Sequence, residues 1–120
     1  MERGGGGKFT DSEVQAYKQD VKNIMIRMGL LSGEEVHTVQ QKNVTRAEYL
    51  EAETDGLWYP VFSAGDTFAG GEVLGTVRDI WGNLLREYRA DYPGIVLYQT
   101  VSLGVKTGDP LIAYGEYADR

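Results

Sequence analysis

The chain has 120 residues, 42% of them hydrophobic, with a formal net charge of −6 and a pI near 4.7. That is the length of one ordinary domain with aromatics enough for a modest core, and its acidic balance excludes nucleic acid and anionic membranes as partners, since both need clustered Lys and Arg. The chain has no cysteine, so disulfides, Cys-bound zinc and thiol catalysis are excluded; with no apolar stretch of membrane-spanning length and no basic-then-apolar leader, a soluble, cytoplasmic protein is expected.

The chain opens Met1-Glu2-Arg3 followed by four glycines, Gly4 to Gly7. Such a run maximises backbone freedom. A phosphate cradle is disfavoured, because Gly7-Lys8-Phe9-Thr10 sets the hydroxyl away from the Gly-Lys pair and no strand precedes it. Residues 10 to 28 then read as a helix. Thr10 is a good N-cap, Glu13 completes a capping box, and Phe9 with Val14 stands at the two positions of a hydrophobic staple. Val14, Tyr17, Val21, Ile24, Met25 and Met28 recur at helical spacing as one apolar stripe. Gly29 supplies the left-handed residue that ends the helix.

Leu30 to Asn43 is polar, broken by Gly33, and reads as a linker or an edge segment. It holds His37, the sole histidine, among Glu34, Glu35, Thr38 and Val39 with no nucleophile elbow nearby. A mononuclear zinc site needs two or three histidines, or histidine with carboxylates, so a complete one within this chain is not expected.

From Val44 onward, short runs rich in Val, Tyr, Leu and Ile alternate with Asp55-Gly56, Gly65-Asp66, Gly70-Gly71, Gly82-Asn83, Pro93-Gly94 and Gly108-Asp109, the punctuation of many short strands. This predicts an all-β unit closed as a small sandwich or barrel. The stretches from Phe62 to Phe68 and from Val105 to Leu111 share one pattern: apolar, two variable residues, Gly-Asp, one residue, apolar. Glycine accepts a positive φ there and aspartate binds nearby backbone N–H groups, so both motifs read as turns of a hairpin used twice.

The repeated Gly-Asp turn, the stretch from Glu72 to Asp79 and the stretch from Asp91 to Leu97 together resemble the barrel-sandwich hybrid fold of biotinyl and lipoyl domains. Carriers of that fold present a lysine at a hairpin tip. The corresponding turn here, Arg78 to Asn83, has none, and Lys106 lies in another hairpin, which disfavours covalent biotin or lipoate.

A resemblance covering nearly the whole chain is to the C-terminal part of the succinylglutamate desuccinylase/aspartoacylase family, zinc deacylases that include N-acetyl-diaminobutyrate deacetylase-like proteins. The matching residues are Glu2-Arg3-Gly4-Gly5; Asn23, Gly29 and Leu30; then Gly56-Leu57, Pro60, Gly65-Asp66, Gly71, Gly75, Asp79 and Gly82, in the family's order and register. The resemblance implies that residues 1–43 are a glycine-rich segment, helix and linker at the tail of a catalytic domain and that residues 44–120 are a barrel-sandwich hybrid β-domain. It implies that Glu2 is the general base that takes a proton from a zinc-held water and returns it to the leaving amine. The family's His-x-x-Glu pair and later His precede that segment, and only Met1 stands there, so His37 matches no ligand.

Two hypotheses follow. In the first, the chain is the C-terminal domain of a zinc-dependent deacylase of N-acyl amino acids; its partner is the missing N-terminal catalytic domain, no metal binds to this chain and it is inactive alone. In the second it is a noncatalytic barrel-sandwich module whose apolar helix stripe docks on another subunit; self-association into a homo-oligomer is an option under both. The aromatics Trp58, Tyr59, Trp81, Tyr88, Tyr92 and Tyr98 read as packing residues. Arg78, Arg86 and Arg89 read as solvated charge rather than as carboxylate-binding residues.

Overall fold

Helix α1 (Asp11–Arg27) begins at the capping box. Thr10, extended at φ −119° and ψ 159°, accepts the Glu13 N–H on its Oγ1 at 3.3 Å, and the Glu13 carboxylate accepts the Thr10 N–H at 2.6 Å. Two donors that a helix start would leave unpaired are thereby satisfied. At the other end Gly29 takes φ 71° and its N–H donates to Ile26, while the Leu30 N–H donates to Met25, each at 2.9 Å. These two bonds make a Schellman motif, which a side chain with a Cβ would strain.

The structure is a computed structural model that describes residues 5–37 and 42–119; Glu2, with Arg3 and Gly4, lies outside the described residues. It comprises two compact units, Met1–Gln40 and Gln41–Arg120. In the first, the predicted stripe exists, yet no residue of α1 is buried. The segment after the helix is less of a free linker than its polarity suggests. Asn23 holds it in both directions, its Nδ2 donating to Val36 O at 2.6 Å and its Oδ1 accepting the Val36 N–H at 3.0 Å. Arg27 adds an ion pair to Glu35 at 3.3 Å.

The second unit holds strands β1 (Lys42–Glu51), β2 (Gly56–Pro60), β3 (Thr67–Phe68), β4 (Val73–Arg78), β5 (Leu84–Arg89), β6 (Gly94–Gln99), β7 (Gly104–Val105) and β8 (Pro110–Asp119). All pairings are antiparallel, in two four-stranded sheets ordered β1-β8-β6-β3 and β5-β4-β2-β7. Among the described residues the protein is thus mainly β with one helix. The sheets remain two layers and do not close into one barrel, the outcome that the sandwich half of the expectation described.

Sequence pattern explains the layering. In β8, Leu111 to Gly115 are all buried, and this unbroken apolar run belongs to a strand flanked on both sides by β1 and β6. In β5, at a sheet edge, only Tyr88 is buried. One core cluster draws on both sheets: Trp58, Leu74, Val77 and Tyr88 from one, and Phe68, Val96, Ile112 and Tyr114 from the other. Each such side chain contributes about 1.5–3 kcal/mol relative to exposure. The Trp58 and Tyr88 rings meet edge-on at 5.8 Å, and Phe68 meets Tyr114 likewise at 5.5 Å.

The sequence echo is a structural repeat. Gly65 and Gly108 have φ of 92° and 89°. Asp66 Oδ2 accepts the Ser63 N–H and Asp109 Oδ2 the Lys106 N–H, both at 2.8 Å. Each turn also clamps one residue of a distant segment through a reciprocal backbone pair: Gly65 donates to Val96, which donates back to Asp66, and Gly108 donates to Ala52, which donates back to Asp109. The same arrangement fastens the chain at two places. Both aspartates are therefore structural, as their position after a positive-φ glycine predicts.

Candidate functional site

Gly5 to Lys8 form a closed turn. Gly6 and Gly7 both have positive φ, 59° and 71°, and the Lys8 N–H donates to Gly5 O at 3.1 Å. At the helix start the Thr10 side chain and carbonyl take the Glu13 and Val14 N–H groups. His37 sits on the exposed surface with Nε2 3.0 Å from Glu35 Oε2.

Within the β unit, the glycines and aspartates that carry the family pattern have framework jobs. Gly56 has no room for a Cβ, which would lie 2.6 Å from Val77 Cγ1 and 2.7 Å from Arg78 O. Gly75 lies under the indole of Trp58. Gly71, at φ 84°, donates to Ala90 at 2.7 Å, and Ala90 donates back to Glu72 at 2.9 Å. Asp79 builds the β4–β5 hairpin. Its Oδ1 accepts the Trp81 and Asn83 N–H groups at 2.8 and 2.9 Å, and its Oδ2 accepts Asn83 Nδ2 at 2.8 Å. The Asn83 side-chain amide, with the backbone bonds of Asn83, Trp81 and Gly82, holds the Asp79 carboxyl below its ordinary pKa. Asp55 is lowered in the same way by the Thr107 N–H and hydroxyl, which join the start of β2 to the second Gly-Asp turn.

The arginines are engaged locally. Arg78 donates to Thr76 Oγ1 at 3.2 Å and to Gly82 O at 3.0 Å, Arg86 pairs with Glu53 at 2.6 Å, and Arg89 pairs with Glu87 at 2.6 Å and donates to Gly71 O at 2.8 Å. Of the aromatics, Trp58 and Tyr88 are core residues, whereas Trp81, 82% exposed, stands with Ile80 at the tip of the Asp79 hairpin. A groove of about 640 Å³ that the sequence did not announce runs along Thr67, Phe68, Pro93, Gly94 and Tyr117, with carboxylates from Glu72 and Glu116. It is assembled from β3, β6 and β8, which are remote in sequence, so no local signal could reveal it. Glu72 is partly committed there, its Oε2 accepting the Ala69 N–H at 2.7 Å.

No family model and no curated protein matches this sequence. Solved structures do. The ectoine utilization protein EutE (DoeB) from Ruegeria pomeroyi matches in its product-bound form with a TM-score of 0.80 and 29% identity, and in its apo form with 0.79 and 30%. A succinylglutamate desuccinylase from Silicibacter sp. TM1040 matches with a TM-score of 0.81 and 25% identity. In fold and sequence the chain resembles the C-terminal region of succinylglutamate desuccinylase/aspartoacylase family proteins. The alignments cover 94% of this chain for EutE and 96% for the desuccinylase, but only 36–37% of those proteins. The chain thus spans about a third of the length of its relatives, the share expected of the family's C-terminal region.

The family's zinc can be tested against this chain's donors. Among the described residues no three His, Cys, Asp or Glu side chains converge on one point. The one histidine is exposed beside Glu35. These residues do not fit a catalytic zinc, which needs three protein ligands around an open position. No described helix is long and apolar enough to cross a membrane.

Proposed function

We propose that this chain is the C-terminal region of a zinc-dependent deacylase acting on N-acyl amino acids. Residues 1–43 are the tail of its catalytic domain and residues 44–120 its β-domain, a barrel-sandwich hybrid in which the two sheets described above are the layers. The observation that carries this reading is the coverage: almost the whole chain aligns with EutE at 29–30% identity while accounting for 36–37% of that protein. The framework roles of Gly56, Gly75, Asp79 and the Gly-Asp turns support the same view, because they assign this part of the family pattern to architecture and leave the chemistry to the missing domain. In the whole enzyme the β-domain covers the catalytic domain and helps to shape the substrate channel or the oligomer interface, and Glu2 carries the proton between the water and the leaving amine.

The test is a chimera in which this chain replaces the matching third of EutE, assayed with zinc on N-acetyl and N-succinyl amino acids beside the isolated chain. The chimera turns over, Glu2→Gln in the chimera lowers kcat by about a hundredfold or more, and the chain alone is inert. Turnover by the chain alone overturns its dependence on a missing domain, and a chimera indifferent to Glu2→Gln overturns the role of that residue.

A second reading, a noncatalytic assembly module, is favoured by one feature: α1 presents Val21, Ile24 and Met28 on an exposed stripe. A chain that is strictly monomeric at high concentration, with α1 amides protected from exchange, counts against it.

A further inference from the structure

We propose that the open edge of β1 is a two-fold interface through which two copies of this chain join their sheets. Among the described residues β1 pairs on one side only, with β8, and lies at the end of its sheet. At ten residues without a proline it is a long edge, and an unpaired row of backbone donors and acceptors is a template for another strand. The proposal rests on this edge and not on the deacylase reading.

The occupant is specified by the strand's own charges. Lys42 and Arg46 stand in its first half, Glu48 and Glu51 in its second. A second β1 laid antiparallel therefore meets opposite charges wherever the first presents a charge. The pairing with β8 fixes which side chains share a face. Ala47 and Tyr49 lie opposite Gly115 and Ala113, while Arg46 and Glu48 lie opposite Glu116 and Tyr114 on the other face. Val44 belongs with Tyr49, since its Cγ1 occupies the space a Cβ on Gly115 would take.

With the two-fold axis at Ala47, Arg46 faces the partner's Glu48. The register shift between Val44 and Arg46 leaves Thr45 as an extra residue, which restores the face match beyond it. Val44 then faces the partner's Tyr49 and Lys42 the partner's Glu51. Every opposed pair shares a face, as antiparallel pairing demands. Moving the axis one residue, to Glu48, sets that glutamate against its own copy and loses the complementarity. Val44 and Tyr49 are 40% and 64% exposed, so pairing also covers apolar surface on the outward face.

The test is sedimentation equilibrium of the 120-residue chain and of two charge reversals, Lys42→Glu and Glu51→Lys. The wild type reaches twice its 13.3 kDa mass. Each reversal alone puts two like-charge pairs in the dimer and raises its Kd about tenfold or more. An equimolar mixture of the two variants regains dimer, because a heterodimer restores both opposite-charge pairs; no other arrangement of these residues predicts that selectivity. Val44→Asp, at a separate exposed position, weakens the dimer as well, and near-UV circular dichroism verifies that each variant is folded. A folded wild type that stays monomeric at high concentration, or a dimer indifferent to both reversals, overturns the proposal.

Discussion

Replacing Gly75 by alanine is the sharpest probe of this β unit. Gly75 pairs with Pro60 on one side and Tyr88 on the other, so its strand is held in register from both directions. A Cβ there would lie 2.7 and 2.8 Å from Cζ2 and Cζ3 of Trp58 and still closer to Cη2. Carbon atoms sit comfortably at about 3.5–4.0 Å, so the indole must retreat by about 1 Å. It has nowhere to go: Trp58 is 2% exposed, Leu74 and Val77 are fully buried, and Tyr88 closes on its ring at 5.8 Å. Overpacking of this kind costs about 1–3 kcal/mol, and a fully enclosed rigid ring places Gly75→Ala at the upper end, about 3 kcal/mol. Units of this size are stable by only about 4–12 kcal/mol, so the loss is a large fraction of the whole. Urea unfolding followed by tryptophan fluorescence, together with calorimetry, measures it; Tm falls by about 12 °C or more. Gly104→Ala is the control, since a Cβ there meets nothing within 4 Å and no positive φ is required, and it shifts stability by less than about 0.5 kcal/mol. If the two substitutions behave alike, Trp58 is not clamped against β4 as described.

Asp66→Ala and Asp109→Ala each remove one charge-assisted bond to a backbone N–H at 2.8 Å and are expected to cost about 0.5–2 kcal/mol by urea unfolding. Because the two turns clamp different segments, the double variant is expected to show the sum to within about 0.5 kcal/mol. Asp79 and Asp55 have folded-state pKa values below their ordinary ones, so the stability they contribute is fully present above the unfolded carboxyl pKa and is lost as pH falls through the lowered folded value. Urea midpoints of the wild type therefore drop on acidification below about pH 4, and Asp79→Ala flattens that drop while acting mainly at neutral pH. Thr10→Ala breaks the capping box of α1 and costs about 1 kcal/mol of helix stability, read as faster hydrogen exchange in the first turn; unchanged exchange there would refute the cap.

The elements governed by local chemistry were legible in the residues. Thr10 with Glu13, the stripe from Val14 to Met28 and Gly29 specify a helix because capping and 3.6-residue periodicity act over one or two turns. Gly65-Asp66 and Gly108-Asp109 specify turns because a positive φ and an acceptor three residues from a backbone donor are local requirements. The family pattern was legible as an ordered set, and the structure gives its glycines and aspartates their reasons: Gly56 and Gly75 for close approach, Gly71 for its φ, Asp79 for a hairpin. Asn23 was visible only as a pattern residue, since its partner Val36 lies thirteen positions away.

What the sequence by itself determined is therefore the vocabulary of this protein: one capped helix, many short strands, acidic charge and a single histidine. What only the tertiary structure decided is which pieces meet. The order β1-β8-β6-β3 leaves β1 at an edge and brings Glu72 and Glu116 to one groove; the pairing of β2 with β4 sets Trp58 over Gly75. Those outcomes depend on contacts between residues far apart in the chain, where the entropy of closing the intervening loops is offset only by burying many side chains together, and no local signal encodes that sum.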